Sequence, residues 1–436
     1  MIVIVGIIFT LTSITAILAS GCCLLLAGSV ADIVGNRIIS LGGCLMLAIF
    51  IAASGVARTG VQFIIFGAFQ GVGTAMFFPT SISVLTSTVP RGKSRNVGFS
   101  CLGLAQPVGL QVGLILAGVF QKKGVSWRFG FYLCAGIMWV CSVLAWWCMP
   151  PGQSREKVTK KRMIYGIDWI GILISSSALG LLSYVLAELS QSTSNIHGAA
   201  NISLLAITGV LAISFIFWMH HQGSRCAVAL ISNSLWRNGR FSTLCAMVII
   251  CWAVANIFQH VQGLSALDSA LRFLPNVLFG VVVNLATGLL VHRLPTNIFV
   301  VTVSVISTVS PLLMAIVSPS WSFWICTFWA VLVVPTAQDV IFTVANLAIT
   351  DAFTEDTHAL AGAVFNTISM FGTAVGIAVM AAISQAVTNH SSFNDKRSPD
   401  ALILAAFWAS FGLMIVMTLI GATRLRKLWK IGSAHS

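Results

Sequence analysis

Carboxylates are scarce in this chain. Asp and Glu together number 11 among 436 residues, and charged side chains of both signs make up 8%. An ordinary globular chain carries about 25% charged residues, so a water-soluble body of this length lacks the polar surface to cover itself. Recognisable catalytic apparatus is also missing. There is no phosphate-cradling loop of the Walker type, which removes ATP as an energy source, and no Cys-x-x-Cys or Cys/His spacing that would hold a metal. No Ser/His/Asp arrangement can be placed together either. The chain does not read as an enzyme, and nothing in it calls for a cofactor.

What is present in excess is apolar. Hydrophobic residues make up 57% of the sequence, and the mean hydropathy is +0.96. A helix needs about 20 apolar residues to cross a bilayer. Thirteen runs of suitable length occur, at 3–27, 38–57, 61–89, 96–120, 131–150, 168–190, 200–221, 241–262, 270–292, 298–318, 322–350, 359–387 and 401–423. They predict an all-α polytopic membrane protein with about 13 transmembrane helices.

The break between the first two runs is the most informative stretch. Gly28, Asp32, Gly35 and Arg37, spaced G-x-x-x-D-x-x-G-x-R, follow a run with no charge and precede another. A lone carboxylate and a lone guanidinium at a membrane edge are costly to keep, and the two glycines predict a tight backbone turn. Cytoplasmic loops hold the excess of Lys and Arg. Placing this turn inside puts 17 of the 24 basic residues on the inner face, with the N-terminus outside and the C-terminus cytoplasmic. The net charge of +13 is then a topology signal. No basic face with interleaved aromatics points to nucleic acid. The outer loops contain no cysteine, so no extracellular disulfide framework is expected.

The runs fall into five, two and six. Residues 1–150 form a first helical half, and 151–167 a basic cytoplasmic loop with Arg155, Lys157, Lys160, Lys161 and Arg162. Two further helices follow at 168–221, a loop at 222–240, a six-helix half at 241–423 and a basic tail at 424–436. Gly288-Leu-Leu-Val-His292-Arg293-Leu-Pro295 repeats the glycine-to-polar spacing of the first turn at another inner boundary. Internal duplication of this kind marks secondary transporters.

Asp339 is the sharpest single residue. It lies near the middle of 322–350, where an ionised carboxylate costs at least ~2.5–3.5 kcal/mol. Such a group suits proton coupling, and an acid held between helices is the plainer alternative. Uncharged polar residues inside spans include Gln70, Gln106, Asn256, Asn276, Asn284, Asn346 and Asn366. Each must find a hydrogen bond, so it faces another helix or a wet cavity. Pro107 with Gly103, Gly109 and Gly113 is the best hinge, because small residues allow close helix contact.

Several stretches resemble known sequences. The Gly28–Arg37 segment resembles the loop signature of the major facilitator superfamily. Phe69-Gln70-Gly71-Val-Gly73, Leu104-Ala-Gln106-Pro107, Trp127-Arg128-Phe129-Gly130-Phe131-Tyr132, Asp168-Trp169-Ile-Gly171, Asn233-Ser-Leu-Trp236-Arg237-Asn238 and Ala361-Gly362-Ala-Val-Phe365-Asn366-Thr367 are similar to its fungal fourteen-span drug:H⁺ antiporter branch. Within that branch they stand close to the aminotriazole-resistance and boron-efflux transporters of yeast.

The resemblance implies a major facilitator fold in which the family's first helix has no counterpart here. It also implies proton-driven efflux of drugs, toxins or metabolites by alternating access, with Asp32 docking on a helix start across the two halves. Gln70, Gln106 and Asn366 gain weight as cavity residues because they stand in these motifs, and Asn256 joins them. Two departures weaken antiport: Gly67 stands where the family usually has Arg, and its fifth-helix glycine pattern survives only as Pro107. A truncated remnant that does not transport, and a uniporter or importer of the same fold, are the alternatives. The expected partners are the bilayer, protons and a small molecule, for a single copy in the plasma membrane rather than the vacuolar membrane.

Overall fold

A computed structural model of the chain describes residues 2–149, 165–191, 199–225, 239–259, 266–291, 295–317, 321, 324–352, 358–390 and 399–425. The helices are α1 (Ile2–Val34), α2 (Asn36–Val56), α3 (Gly60–Thr88), α4 (Lys93–Lys122), α5 (Trp127–Cys148), α6 (Trp169–Gln191) and α7 (Ala199–Ser224). They continue with α8 (Gly239–Gln259), α9 (Ala266–Leu290), α10 (Thr296–Ile316), α11 (Thr327–Val333), α12 (Pro335–Ala352), α13 (His358–His390) and α14 (Pro399–Arg424). No strand occurs among the described residues, as expected where lipid offers the backbone no partner. Each of the thirteen apolar runs is helical over most of its described residues. Nine helical segments among the described residues are long and apolar enough to cross a membrane, and shorter apolar stretches lie in α1, α6 and α8.

Two elements differ from the sequence reading. The polar break is shorter than expected, because α1 continues to Val34 and Arg37 already belongs to the first turn of α2. Only Gly35 turns the chain, with φ +116°, a conformation other residues adopt only under strain. Gly28 is helical and has another purpose, given below. The run at 322–350 is also divided. Pro335 has no N–H to give to the carbonyl of Val331, four residues back. Asn276 Nδ2 of α9 donates to that oxygen instead at 2.6 Å, and Ser310 Oγ of α10 donates to Ala330 O at 2.7 Å. The break is therefore satisfied by its neighbours.

In the first half, α3 packs on α1 and α2, and α2 leans on α5. The Trp127–Tyr132 motif accounts for that last contact. Arg128 donates to Ala57 O at 3.1 Å, closing the end of α2, and the Tyr132 ring covers Gly55. In the second half α8 packs on α13, α14 and α12, and α10 on α14, α11 and α12. Across the halves α1 and α3 meet α13, while α4 meets α9 and α12. Tight glycine contacts lie along these lines: Gly71 of α3 sits on Ala16 and Ala19 of α1, and Gly372 and Gly376 of α13 sit on Ile249 and Ala253 of α8.

Helices α6 and α7 pack on each other, and α6 also lies against α1 and α13. Asp168 joins the pair, accepting from Gly171 N at 2.8 Å and from Trp218 Nε1 at 2.9 Å. On α1, Cys22 Sγ donates to Ser176 O at 3.4 Å and Ser176 Oγ donates back to Cys22 O.

Candidate functional site

The first candidate lies where α1 meets α13. Asp32 Oδ1 accepts from Ala359 N at 3.0 Å, and Oδ2 accepts from Leu360 N at 2.9 Å. These are among the first N–H groups of α13, which have no partner within their own helix. A carboxylate there also meets the positive end of the helix dipole. Gly28 lies one turn earlier on α1. A Cβ at that position would fall 2.8 Å from Ala363 Cβ and 3.0 Å from Ala359 O. Glycine is what lets α1 approach the α13 backbone closely enough for Asp32 to reach it.

Arg37 points the other way. Its guanidinium donates to Trp146 O at 2.8 Å and lies 5.7 Å from the Trp146 ring centre, fastening the end of α5 within the first half. Of the four residues of the turn, Gly28 and Asp32 therefore act between halves, while Gly35 and Arg37 act within one.

The second candidate is Asp339, one turn into α12 after the Pro335 break. It is 6% exposed, and Oδ2 has no hydrogen-bond donor among the described residues. The carboxyl faces α9, where a Cβ on Gly280 would lie 2.8 Å from Oδ2. Asn284 of α9 is its main polar neighbour, and Cys251 of α8 lies within electrostatic reach. Asn284 Oδ1 accepts from Thr343 Oγ1 at 3.3 Å, while its Nδ2 completes no hydrogen bond. Trp252, Phe342 and Phe365 form a cluster with ring centres 5.2–6.3 Å apart, Phe365 meeting the other two edge to face. A cavity of about 20 Å³, bordered by Cys251, Ser307, Ser310 and Gln338, adjoins the helix break. It has room for about one water.

The remaining predicted residues are not gathered at one place. Gln70 Nε2 donates to Ser54 Oγ at 2.7 Å and Phe50 O at 3.2 Å, a contact between α3 and α2. Gln106 is exposed on α4. Asn366 donates to Gly362 O of its own helix at 2.8 Å. The side chain of Asn256 lies outside the described residues. Pro107 is inside α4. Gly103 packs on Phe342 and Asn284, whereas no described atom comes within 4 Å of a Cβ at Gly109 or Gly113.

Sequence reasoning missed Gly280, Gly288 as a contact, and Ser100. On α9, a Cβ at Gly288 would meet Ser100 Oγ, Val97 Cα and Asn96 O of α4 at 2.5, 3.0 and 3.1 Å. Gly288 thus stands to α4 as Gly28 stands to α13, and the repeated spacing could have led to it. His292 and Arg293 of the repeat lie outside the described residues.

Two helical halves in contact through paired glycine-bearing seams, with a buried acid beside a broken span, define a membrane transporter. The family model described as Major Facilitator Superfamily matches residues 3–377, and the chain belongs to that superfamily. It is 35% identical to "MFS-type transporter 1" of Pyricularia oryzae, over 96% of this chain and 77% of that protein. It is 23% identical to the low affinity ammonium transporter of Saccharomyces cerevisiae, over 85% and 73%. It is 22% identical to efflux pump terJ of Aspergillus terreus, over 92% and 78%. Among solved structures, the human organic anion transporter MFSD10 has the same fold, with TM-score 0.62, 13% identity and coverage of 94% and 83%.

Proposed function

We propose that the protein exports a small molecule in exchange for protons by alternating access, in the manner of the fungal fourteen-span drug:H⁺ antiporters. The observation that carries this reading is Asp339, a buried carboxyl one turn past a break in its helix. Broken spans near the membrane centre are where secondary transporters bind coupling ions, and a carboxyl without a fixed donor on Oδ2 is free to exchange its proton. Asp32 supplies the second requirement, a bistable contact. Its hold on α13 favours the state closed at the Gly35 face, and releasing it lets the two halves part there. The motif residues and the relation to an efflux pump support the outward direction. The gradient is the energy source, the cell's outer membrane the expected place, and one copy the working unit.

A second reading, import or uniport, draws on the relation to an ammonium transporter and on the departures of α4 from the antiporter pattern. Both are tested by expressing the chain in a pump-deficient fungus challenged with aminotriazole, borate and an azole. Everted membrane vesicles then follow uptake of whichever compound the chain relieves. Under an imposed pH gradient, Asp339→Asn abolishes concentrative uptake while leaving protein abundance unchanged. Uptake by Asp339→Asn equal to that of the unaltered chain overturns proton coupling at this residue.

A further inference from the structure

Helix α10 is bonded on one side and open on the other. Two serines fix its inner side: Ser307 Oγ accepts from Ala337 N at 2.8 Å, and Ser310 Oγ donates to Ala330 O at 2.7 Å. Val305, Val309 and Leu312 lie on a different side, where they share a lining with Phe411, Ile415 and Leu419 of α14. Between the two rows is a cavity of about 260 Å³. Thr308 and Thr418 complete the lining, yet it presents no polar surface. The reason is local. Thr308 Oγ1 donates to Ser304 O and Thr418 Oγ1 to Met414 O, each at 2.8 Å within its own helix. The two hydroxyl oxygens approach each other to 3.4 Å. A hydroxyl has one proton to give, so neither offers a donor to a guest.

Position selects the guest. At 1.5 Å per residue the lining extends ~10.5 Å along α10 and ~12 Å along α14. Both rows stand around the middle of apolar spans, Thr296–Ile316 and Leu404–Arg424. Val305, Val309, Ile415 and Leu419 are 38–58% exposed, so the cavity opens away from the bundle, toward the bilayer. At that depth a bilayer offers hydrocarbon and no headgroup. Water has no place there, because a held water needs two to four polar partners. Left empty, the lining would forfeit its van der Waals contacts on one side. One wall is also braced in advance: Trp408, a turn earlier on α14, meets the Phe411 ring edge to face with centres 5.8 Å apart.

We infer that the α10/α14 groove is a binding site for one acyl chain of a membrane phospholipid, which lies in it lengthwise between the two helices. The site takes flexible hydrocarbon and rejects any group that carries charge or needs a hydrogen bond. The hydrophobic effect contributes nothing to this preference, since lipid tails are as apolar as the lining. Shape supplies it: a chain in the groove is touched by two helices, and one on an open helix face by a single helix. Both walls belong to the second half, so the bound chain stays with that half.

The test uses the full chain in phosphatidylcholine nanodiscs containing a tracer phosphatidylcholine with a diazirine near the middle of one acyl chain. After illumination, mass spectrometry locates the residues that carry the adduct. Residues 305–312 and 411–419 take about tenfold more label than the comparably exposed face of α7 at Ile207, Val210 and Ile213, a preference equivalent to ~1.4 kcal/mol. Val309→Trp, which fills the groove, brings its labelling down to the α7 level. Ile415→Trp, the second variant, does the same, and unchanged α7 labelling in both checks that they fold. Val210→Trp leaves the groove labelling as it was. Equal labelling of groove and α7 in the unaltered chain overturns the site, as does undiminished labelling in both groove variants. Cross-linking of Val309→Cys to a second copy, with no lipid adduct, assigns the groove to an interface between copies and also overturns it. Displacement of the label by a compound that the chain exports assigns the groove to substrate, with the same consequence.

Discussion

Two seams join the halves of this molecule, and they are built on opposite principles. Where α1 meets α13, the polar groups are matched: both oxygens of Asp32 accept from N–H groups at the start of α13, and Gly28 admits the backbone contact that makes this possible. Where α9 meets α4, the corresponding glycine, Gly288, brings two helices equally close, but Ser100 Oγ beside it has no hydrogen-bond partner among the described residues. A satisfied seam is held shut by directional bonds, and parting it has a definite energetic cost. At Gly288 the described contact is one of close packing against Ser100, Val97 and Asn96. One repeated spacing thus serves a hydrogen-bonded latch on one side and a close-packed glycine contact on the other.

The comparison is most sharply broken at Asp32. Asp32→Ala removes two charge-assisted hydrogen bonds, each worth ~1.5–3 kcal/mol, and shifts the population away from the closed state by at least about a hundredfold. Pulsed electron-spin distances between labels on exposed Thr88 and Thr423 should lengthen, and an unchanged distribution would show that the carboxylate holds nothing. Gly28→Ala comes next. Its Cβ meets the Ala359 carbonyl and Ala363 Cβ, which cannot rotate away, so a loss of ~1–3 kcal/mol is expected, read as a lower unfolding temperature in detergent. Gly103→Ala on the other seam should cost less than ~1 kcal/mol, because the Phe342 ring and Asn284 amide it meets can turn aside. Equal losses at the two glycines would erase the distinction between a glycine that faces backbone, Gly28, and one that faces side chains, Gly103.

Much of this architecture was legible in the sequence because bilayers tolerate so few polar groups. The apolar runs are helical over most of their described residues, and the scarcity of carboxylates singles out Asp32 and Asp339. Other features left no such trace. Ser100, Gly280 and Gly288 sit inside spans where serine and glycine barely alter hydropathy, and what matters about them is a neighbour on another helix. Spacing along one chain does not encode that partnership. Gln70 illustrates a related point: an amide in lipid must bond to something, and here it donates to Ser54 of the adjacent helix, a contact of the kind that typically contributes ~0.6 kcal/mol. The division at Pro335 follows from the N–H that proline lacks, but its repair by Asn276 leaves no mark in the sequence, since the donor lies 55 residues away on α9.

The reciprocal bonds between Cys22 and Ser176 carry a mechanical consequence. They yoke α6 to the first half while its flank rests on α13 of the second, so in the proposed alternating-access cycle rocking of the halves would drag α6 across a moving neighbour. The added pair is therefore a passenger of one half and a brake shoe on the other. Exposed Tyr184 on α6 marks a place from which a fluorescent tag would register each stroke.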